Sequence, residues 1–204
     1  MANPYDYDLC RTKIVKKGKE LFGGKFDIFK DDHEIMSKLL MYILKDEEKA
    51  RKSNISLKKG ILLSGPVGCG KTTLMTILRL FQPIDNRYLM KSCRDVSFEF
   101  IQDGYSVILN YSKQSFEKFQ PKMYCFDDLG TENSLKYFGN ECNVMAEILL
   151  SRYDQFVSKQ MITHLTTNLN SSEIESMYGS RVRSRMREMF NLVSFDGNAK
   201  DKRI

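Results

Sequence analysis

The sequence feature that most restricts the fold is the stretch GPVGCGKT at residues 65–72. It matches the pattern G-x-x-x-x-G-K-[ST] and lies between the apolar run GILLS and the helical run TTLMTILRLF. Glycines let such a loop turn its N–H groups inward around a phosphate, while the lysine reaches the β- and γ-phosphates and the hydroxyl binds Mg²⁺. The stretch therefore predicts a P-loop that binds ATP and Mg²⁺. The residues expected to hold the nucleotide are Gly65, Pro66, Val67, Gly68, Cys69, Gly70, Lys71, Thr72 and Thr73, and Lys71 is also expected to act in catalysis.

Two strand ends further along the chain carry polar side chains suited to hydrolysis. The apolar run MYCF is followed by Asp127 and Asp128, and the run MITHLTT is followed by Asn168. Because parallel strands present their carboxyl ends at one edge of a sheet, we expect these groups close to the P-loop. Asp127, with Thr72, is predicted to hold Mg²⁺, and Asp128 and Asn168 are predicted to position the attacking water. The alternatives are an indirect metal partner or turn acid for Asp128, and a turn residue or helix cap for Asn168.

The chain as a whole alternates short apolar runs with amphipathic stretches. Residues 31–52 predict one helix, with Asp31 and Asp32 as candidate caps. Strands alternating with helices indicate an α/β fold with a mostly parallel sheet flanked by helices, as in P-loop NTPases. The runs that predict strands are GILLSG (60–65), RYLMKSC (87–93), SVILNY (106–111, which could instead begin a helix), KMYCFDD (122–128), MITHLTTN (161–168) and NLVSFDG (191–197).

Composition argues against several other classes of protein. Of the 204 residues, 42% are hydrophobic and 28% are charged, which is the balance of a globular domain rather than a disordered chain. The five cysteines lack C-x-x-C spacing and accompany only two histidines, which argues against a zinc site or a disulfide framework. Cys69, inside the P-loop, is interpreted as a filler, with a redox-sensitive loop as the alternative. No apolar run approaches the roughly 20 residues of a membrane span, so we expect a cytoplasmic protein without a membrane partner.

Four arginines recur at every second position of SRVRSRMREM, residues 180–189. The neighbouring apolar residues recur at three- and four-residue steps, which favours a helix over a strand. A helix places Arg181 and Arg185 on one stripe, and Arg183 and Arg187 on another. The net charge is +6. Its excess lies in residues 11–30 and 179–204, and it fits either a polyanionic partner or an ordinary solvated surface.

Four segments together resemble the AAA+ ATPases of the DnaC-type helicase loaders and their IstB-type transposition relatives. They are GILLSGPVGCGKTTL, CFDDLGTE, ITHLTTNLN and YGSRVRSRMREM, and the similarity extends from about residue 25 to the end of the sequence. The resemblance implies an AAA+ fold of the ASCE type without a C-terminal helical lid domain. It also implies that Arg185 is an arginine finger supplied to the ATP of a neighbouring subunit, with Arg181 as its companion, in a head-to-tail homo-oligomer.

The same resemblance implies contact with single-stranded DNA through the segment that follows the second strand. That segment, EFIQDGYSVILNYSKQSFEKFQ, interleaves aromatic and basic side chains of the kinds that stack on bases and bind phosphates. The alternative is that aromatic residues at this spacing belong to the core. The side chains concerned are Tyr105, Tyr111, Lys113, Phe116, Lys118 and Phe119.

The predicted organisation is a basic N-terminal segment, residues 1–24, followed by an AAA+ ATPase domain, residues 25–204. The first segment is too short for the helicase-binding domain of DnaC-type loaders, and Asp128 stands where many AAA+ proteins have glutamate. We predict an Mg²⁺-dependent ATPase that, on DNA, loads or recruits a helicase or transposase client. The alternatives are a nucleotide-switched adaptor with negligible turnover and a small-molecule kinase, in which the DDLG and TTNL motifs would have no role.

Overall fold

The computed structural model describes residues 6–132, 135–137 and 140–203. Residues 1–5 of the predicted basic segment and the last residue of the predicted ATPase domain lie outside this part. None of the helices in the described ranges is long and apolar enough to cross a membrane. The helices are α1 (Tyr7–Phe22), α2 (His33–Ile43), α3 (Glu47–Lys52), α4 (Lys71–Leu78), α5 (Cys93–Asp103), α6 (Ser106–Tyr111), α7 (Val144–Lys159) and α8 (Ser171–Met189). The strands are β1 (Gly60–Ser64), β2 (Leu89–Ser92), β3 (Phe116–Glu117), β4 (Gln120–Pro121), β5 (Tyr124–Leu129), β6 (Leu135–Tyr137), β7 (Asn140–Cys142), β8 (Thr163–Thr167) and β9 (Phe190–Ser194).

Five strands form the central sheet in the order β2-β5-β8-β1-β9, and every neighbouring pair is parallel. The hairpins β3–β4 and β6–β7 are separate from it. The sheet confirms the predicted α/β fold of the P-loop NTPase type and five of the six predicted strands. Because all five strands are parallel, the P-loop after β1, the two aspartates of β5 and the residue after β8 share one edge.

The sixth predicted strand, SVILNY, is instead the helix α6. Val107 is buried, and Ile108 and Tyr111 are half-buried, so the covered positions follow a helical spacing rather than alternation. The segment packs against α5 and α7 outside the sheet. Short apolar runs do not distinguish a buried helix turn from a strand; here the strand prediction was wrong, and the alternative, that the run begins a helix, is confirmed.

The single helix predicted over residues 31–52 is two helices. Lys45 adopts a left-handed conformation, with φ of 56°, and this separates α2 from α3. Asp46 caps α3 by accepting the N–H of Lys49 at 3.1 Å. Asp32, predicted as a cap, makes no capping hydrogen bond and instead binds Lys202.

The sheet separates two apolar clusters. On one face, α1, α2 and α4 pack around residues such as Leu39, Ile61 and Ile77. On the other face, α5 to α8 pack over residues such as Phe126. Ile14 of α1 is fully buried in the first cluster, so residues 7–22 pack on the same core as the P-loop helix α4. The domain boundary at residue 24 stays a prediction.

Arg152 of α7 is a fully buried cation without a carboxylate partner among the described residues. Its guanidinium donates to the Thr163 hydroxyl and the Tyr111 carbonyl at 2.7 Å, and to the carbonyls of Lys122 at 3.0 Å and Ile162 at 3.1 Å. Burial lowers the pKa of Arg152 to about 9. These bonds join α7 to the end of α6 and to the segments just before β5 and β8, so they fix the helix layer at the amino edge of the sheet.

Candidate nucleotide-binding site

The P-loop, residues 65–72, connects the carboxyl end of β1 to α4. Gly65, Gly68 and Gly70 have φ values of 154°, 82° and 101°, in a region that residues with a side chain rarely adopt. The N–H of Gly65 donates to the carbonyl of Thr167 at 3.2 Å, which attaches the start of the loop to the end of β8. The glycines therefore give the loop a conformation that a residue with a side chain would adopt only under strain.

Lys71 lies buried in the first turn of α4 with its ammonium group inside the loop. Its Nζ donates to the carbonyls of Gly65 and Pro66, both at 2.9 Å, and lies 3.9 Å from Sγ of Cys69. Burial raises the pKa of the Cys69 thiol, which keeps it protonated and favours the filler interpretation over a reactive thiolate. Around this centre, Pro66 and Thr73 are half-buried and Val67 is exposed.

The hydroxyl of Thr72 donates to both carboxylate oxygens of Asp127, at 3.0 and 2.9 Å. Burial raises the pKa of Asp127, and hydrogen bonds from Thr166 and Thr72 oppose that shift. No cluster of three or more His, Cys, Asp or Glu that could hold a metal occurs among the described residues. One carboxylate and one hydroxyl nevertheless fit Mg²⁺, because P-loop sites complete its octahedral shell with water and phosphate oxygens.

Asp128 has an unusual backbone conformation, with φ of 55°, and the pairing of β5 with β8 shifts register between Phe126 and Leu129. Its N–H donates to Oγ1 of Thr166 at 2.8 Å, and its carbonyl accepts the Thr131 hydroxyl at 2.7 Å. A left-handed conformation is uncommon inside a strand, and aspartate adopts it more readily than most residues with a side chain. Here it gives Asp128 a different backbone orientation from Asp127, immediately after the predicted metal ligand.

Asn168 is exposed at the end of β8, next to Thr167, whose carbonyl binds the P-loop. Its side-chain amide has no hydrogen-bond partner within the described ranges. The helix cap that could have been its role belongs to Asn170, which forms a capping box with Glu173. The strand order therefore brings Asn168 to the same edge as Lys71 and leaves its amide available for a ligand.

The predicted helix of the arginines is confirmed as the second half of α8, which is broken at Gly179 by a φ of 86° and a ψ of 160°. Arg181 is exposed and makes no ion pair within the part of the chain that is described. The guanidinium of Arg185 lies 4.4 Å from the ring centre of Tyr153 on α7, and it donates to the Tyr153 hydroxyl and to Glu188, both at 3.2 Å. The Arg185 side chain is 38% exposed.

Arg185 is not brought to the P-loop of its own chain. Helix α8 runs down to Phe190, which pairs with Gly60, the first residue of β1, whereas the P-loop follows the last residue of β1. Helices α8 and α4 also lie on opposite faces of the sheet. On the other stripe, Arg183 forms an ion pair with Glu175, and Arg187 is exposed.

Three residues that contribute to this edge were not identified from the sequence. Thr166 donates to Asp127 at 2.6 Å while it accepts the N–H of Asp128, so one hydroxyl positions both aspartates. The buried carboxylate of Glu132 accepts the N–H of Gly130 at 2.9 Å and the hydroxyl of Tyr178, which joins the turn after β5 to α8. The polar residues at the end of an apolar run are a signal for Thr166, but the Glu132–Tyr178 contact spans 46 positions and leaves no local pattern.

The segment predicted to contact DNA divides into packed and exposed parts. Tyr111 packs edge-on against Tyr124 and Phe126, and Phe116 lies under the ammonium group of Lys159. Phe119, at the tip of the β3–β4 hairpin, is 97% exposed. Among the others, Tyr105 stacks edge-on against Phe100, and Lys113 and Lys118 are exposed.

Comparisons with known proteins identify the fold. No known protein family and no curated protein matches the chain. Among solved structures, the crystal structure of the DnaC helicase loader matches with a TM-score of 0.56 and 17% identity, over 83% of this chain and 92% of that chain. The crystal structure of DnaI matches with a TM-score of 0.56 and 17% identity, over 83% of this chain and 87% of that chain. The resemblance predicted from the motifs is thus confirmed in three dimensions: the chain has the fold of the DnaC-type helicase loaders.

Proposed function

We propose that this chain is an Mg²⁺-dependent ATPase of the helicase-loader type, which uses ATP to load or recruit a replication or mobile-element client on DNA. The observation that carries the proposal is the contact of Thr72 with Asp127 at 2.9–3.0 Å beside the buried Lys71. A hydroxyl, a carboxylate and a lysine in this relation are the set with which P-loop enzymes hold a triphosphate and its metal. The fold shared with DnaC and DnaI supports the client class.

The chemistry follows from the groups at the carboxyl edge of the sheet. Thr72 and Asp127 would hold Mg²⁺, which neutralises charge on the β- and γ-phosphates when bound. Lys71 exchanges its two carbonyl partners for phosphate oxygens. Asp128 and Asn168, at neighbouring strand ends, orient the water for in-line attack on the γ-phosphate. The side chain of Asp128 is shorter than that of glutamate, so the position of its carboxylate depends strongly on the left-handed backbone conformation.

A neighbouring copy supplies the remaining positive charge through Arg185. Within its own chain, Arg185 lies on the opposite face of the sheet from α4 and near the amino end of β1. Its partners Tyr153 and Glu188 are on the surface, and a partly exposed guanidinium can leave them at small cost. Arg181, exposed one turn earlier, would accompany it.

The first experiment measures ATP turnover and nucleotide affinity for Arg185→Ala, with Arg187→Ala as the matched control. The Arg187→Ala substitution removes the same charge from the same helix, at an exposed residue on the other stripe. We expect turnover to fall by ~10³-fold for Arg185→Ala, with affinity nearly unchanged, because an arginine finger acts on the transition state. Equal turnover in the two variants would count against the proposal.

A mixing experiment tests whether Arg185 acts on a neighbour. Asp128→Asn is expected to bind ATP without turnover, and Arg185→Ala to lack the donated charge. In an equal mixture, about a quarter of head-to-tail contacts join an intact Asp128 to an intact Arg185, so about a quarter of wild-type activity should return. A mixture as inactive as its components would show that Arg185 does not act on the ATP of a neighbouring copy.

A nucleotide-switched adaptor with negligible turnover is the second candidate. It is favoured by the side chain of Asp128, which is shorter than the glutamate that many AAA+ proteins have at this position. Single-turnover kinetics distinguish the two functions. Tight ATP binding combined with a turnover that stays negligible at high protein concentration, and with client, would identify the adaptor.

Contact with single-stranded DNA is assigned to the tip of the β3–β4 hairpin. Lys118 and Phe119 both adopt left-handed conformations, with φ of 47° and 65°, and Phe119 is 97% exposed. Positive φ at both residues is the ordinary geometry of a two-residue hairpin loop, so the binding role is inferred from the full exposure of the Phe119 ring. A phenylalanine beside exposed lysines suits stacking on a base with phosphate contacts alongside.

A further inference from the structure

The segment that follows β9 returns to the P-loop and lies against its outer side. The backbone N–H of Lys202 donates to the carbonyl of Gly68 at 3.0 Å. Its side chain donates to the carbonyl of Cys69 at 2.8 Å. A methyl group added at Gly68 would lie 2.2 Å from the carboxyl group of Asp201, so this segment rests directly on the loop. Lys202 thus binds two consecutive carbonyls of the P-loop through two different atoms.

Lys202 is itself held by a buried carboxylate from the other end of the chain. Its Nζ lies 2.5 Å from Oδ2 of Asp32, whose side chain is 8% exposed. The ammonium group also lies 5.6 Å from the ring centre of Phe29 and 4.9 Å from that of Phe195. An aromatic surround and a buried partner leave Lys202 little freedom, unlike most surface lysines.

The peptide geometry connects these contacts to phosphate binding. In a trans peptide, the C=O of one residue and the N–H of the next point in opposite directions. Fixing the carbonyls of Gly68 and Cys69 outward therefore fixes the N–H groups of Cys69 and Gly70 inward. The N–H of Cys69 does point across the loop, toward the carbonyl of Pro66 at 3.5 Å. Inward N–H groups are what a P-loop offers to phosphate.

We propose that Lys202 is a positioning residue, latched by Asp32, that holds the P-loop in its phosphate-binding shape. The proposal rests on the nucleotide binding proposed above, and it concerns affinity rather than the chemical step. Glycines at 68 and 70 make the loop flexible when unbound, with a cost in entropy on binding. Because Lys202 already restricts the loop in the unbound chain, less entropy is lost when a nucleotide binds. Replacing Lys202 therefore weakens the binding of any nucleotide that uses the loop.

The test is the affinity of the full chain for Mg²⁺·ADP and Mg²⁺·ATP, measured by titration calorimetry. Lys202→Ala is compared with Lys200→Ala, which removes the same charge two positions away at an exposed residue. We expect Lys202→Ala to bind roughly tenfold more weakly, because it removes the side-chain hydrogen bond to the Cys69 carbonyl and leaves only the backbone bond to Gly68. Lys200→Ala should bind like the wild type, and Lys202→Arg, which can still reach Asp32, should recover most of the affinity.

Asp32→Asn separates the latch from simple electrostatics. Removing a negative charge near the loop raises the affinity for an anion if only Coulomb attraction matters. If Asp32 holds Lys202, the same change lowers the affinity, and the double variant with Lys202→Ala is no weaker than Lys202→Ala alone. Tighter binding by Asp32→Asn, or equal binding by the two lysine variants, would overturn the proposal.

Two further results are kept apart from that outcome. A wild-type chain that binds neither nucleotide at millimolar concentration contradicts the proposed function itself. The second result is a lower unfolding temperature of Lys202→Ala together with an unchanged stabilisation by ADP. It would mean that Lys202 stabilises the fold without affecting nucleotide binding, and it also overturns the inference.

Discussion

His164 gives a quantitative test of the packing between the central sheet and α2. The side chain lies in β8, 1% exposed, with its ring 4.6 Å from Tyr88 and 5.7 Å from Tyr42. Its Nδ1 accepts the N–H of Ile61 at 3.0 Å, so the ring is neutral with the proton on Nε2. Burial lowers the pKa of His164 to about 3, with Lys45 and Arg152 contributing in the same direction.

The sign of the pH effect follows from this lowered pKa. Below pH 6.5 the unfolded chain binds a proton at His164 that the folded chain rejects, so stability falls as the pH falls. With folded and unfolded values of about 3 and 6.5, the loss is about 2 kcal/mol at pH 5 and about 3 kcal/mol at pH 4. A loss of about 2 kcal/mol lowers the unfolding temperature of a chain of this size by roughly 4–8 °C.

Urea unfolding between pH 7.5 and pH 4 measures this contribution. The wild type is compared with His164→Gln, and His33→Gln serves as the control at the only other histidine. We expect His164→Gln to be less stable at pH 7.5 but to lose about 2 kcal/mol less than the wild type on going to pH 5. If both chains lose the same free energy over that range, His164 is not the buried neutral group described here, and the reasoning fails.

Two other predictions concern the site and the hairpin. Thr166→Val keeps the volume of the side chain but removes the hydroxyl that binds both Asp127 and Asp128. We therefore expect ATP turnover to fall about 100-fold with a smaller change in nucleotide affinity. Unchanged turnover in steady-state assays would refute the positioning role. Phe119→Ala should weaken binding of a labelled oligo-dT by roughly five- to hundredfold, the value of one base–aromatic stack. Fluorescence anisotropy measures it, and Ile84→Ala, which also removes an exposed apolar side chain, should leave the affinity unchanged.

The parts of the structure that were predictable are those in which a local pattern has one physical solution. The spacing of glycines with Lys71 and Thr72 suits a phosphate loop, and parallel strands bring Asp127 and Asn168 to the same edge whatever the loops between them do. Helix spacing similarly placed Arg181 and Arg185 on one stripe. These predictions need only periodicity and the direction of strands, both of which are set locally.

The features that were not predictable depend on partners distant in the sequence. Lys202 binds Asp32 across 170 positions, and no spacing rule connects a lysine after the last strand to the start of a helix. The break at Lys45 depends on a left-handed backbone conformation, which any exposed lysine can adopt at a modest cost. SVILNY became a helix because α5 and α7 offered it a packing surface, a tertiary effect that overrides propensity.

The position of Arg185 sets a condition on how copies can assemble if it acts on ATP. The P-loop leads into α4 on one face of the sheet, whereas Arg185 lies on the other face near the opposite edge. A twofold dimer repeats one surface on both partners, so a single interface would have to include both regions. Because the two regions face apart, the contact has to be head to tail, and such contacts form rings or open chains. In an open chain the end copy lacks a donor, so activity per chain should rise with protein concentration and level off as assemblies lengthen. A specific activity that is already maximal for the dilute, isolated chain would exclude this arrangement, whatever the Arg185 variant does.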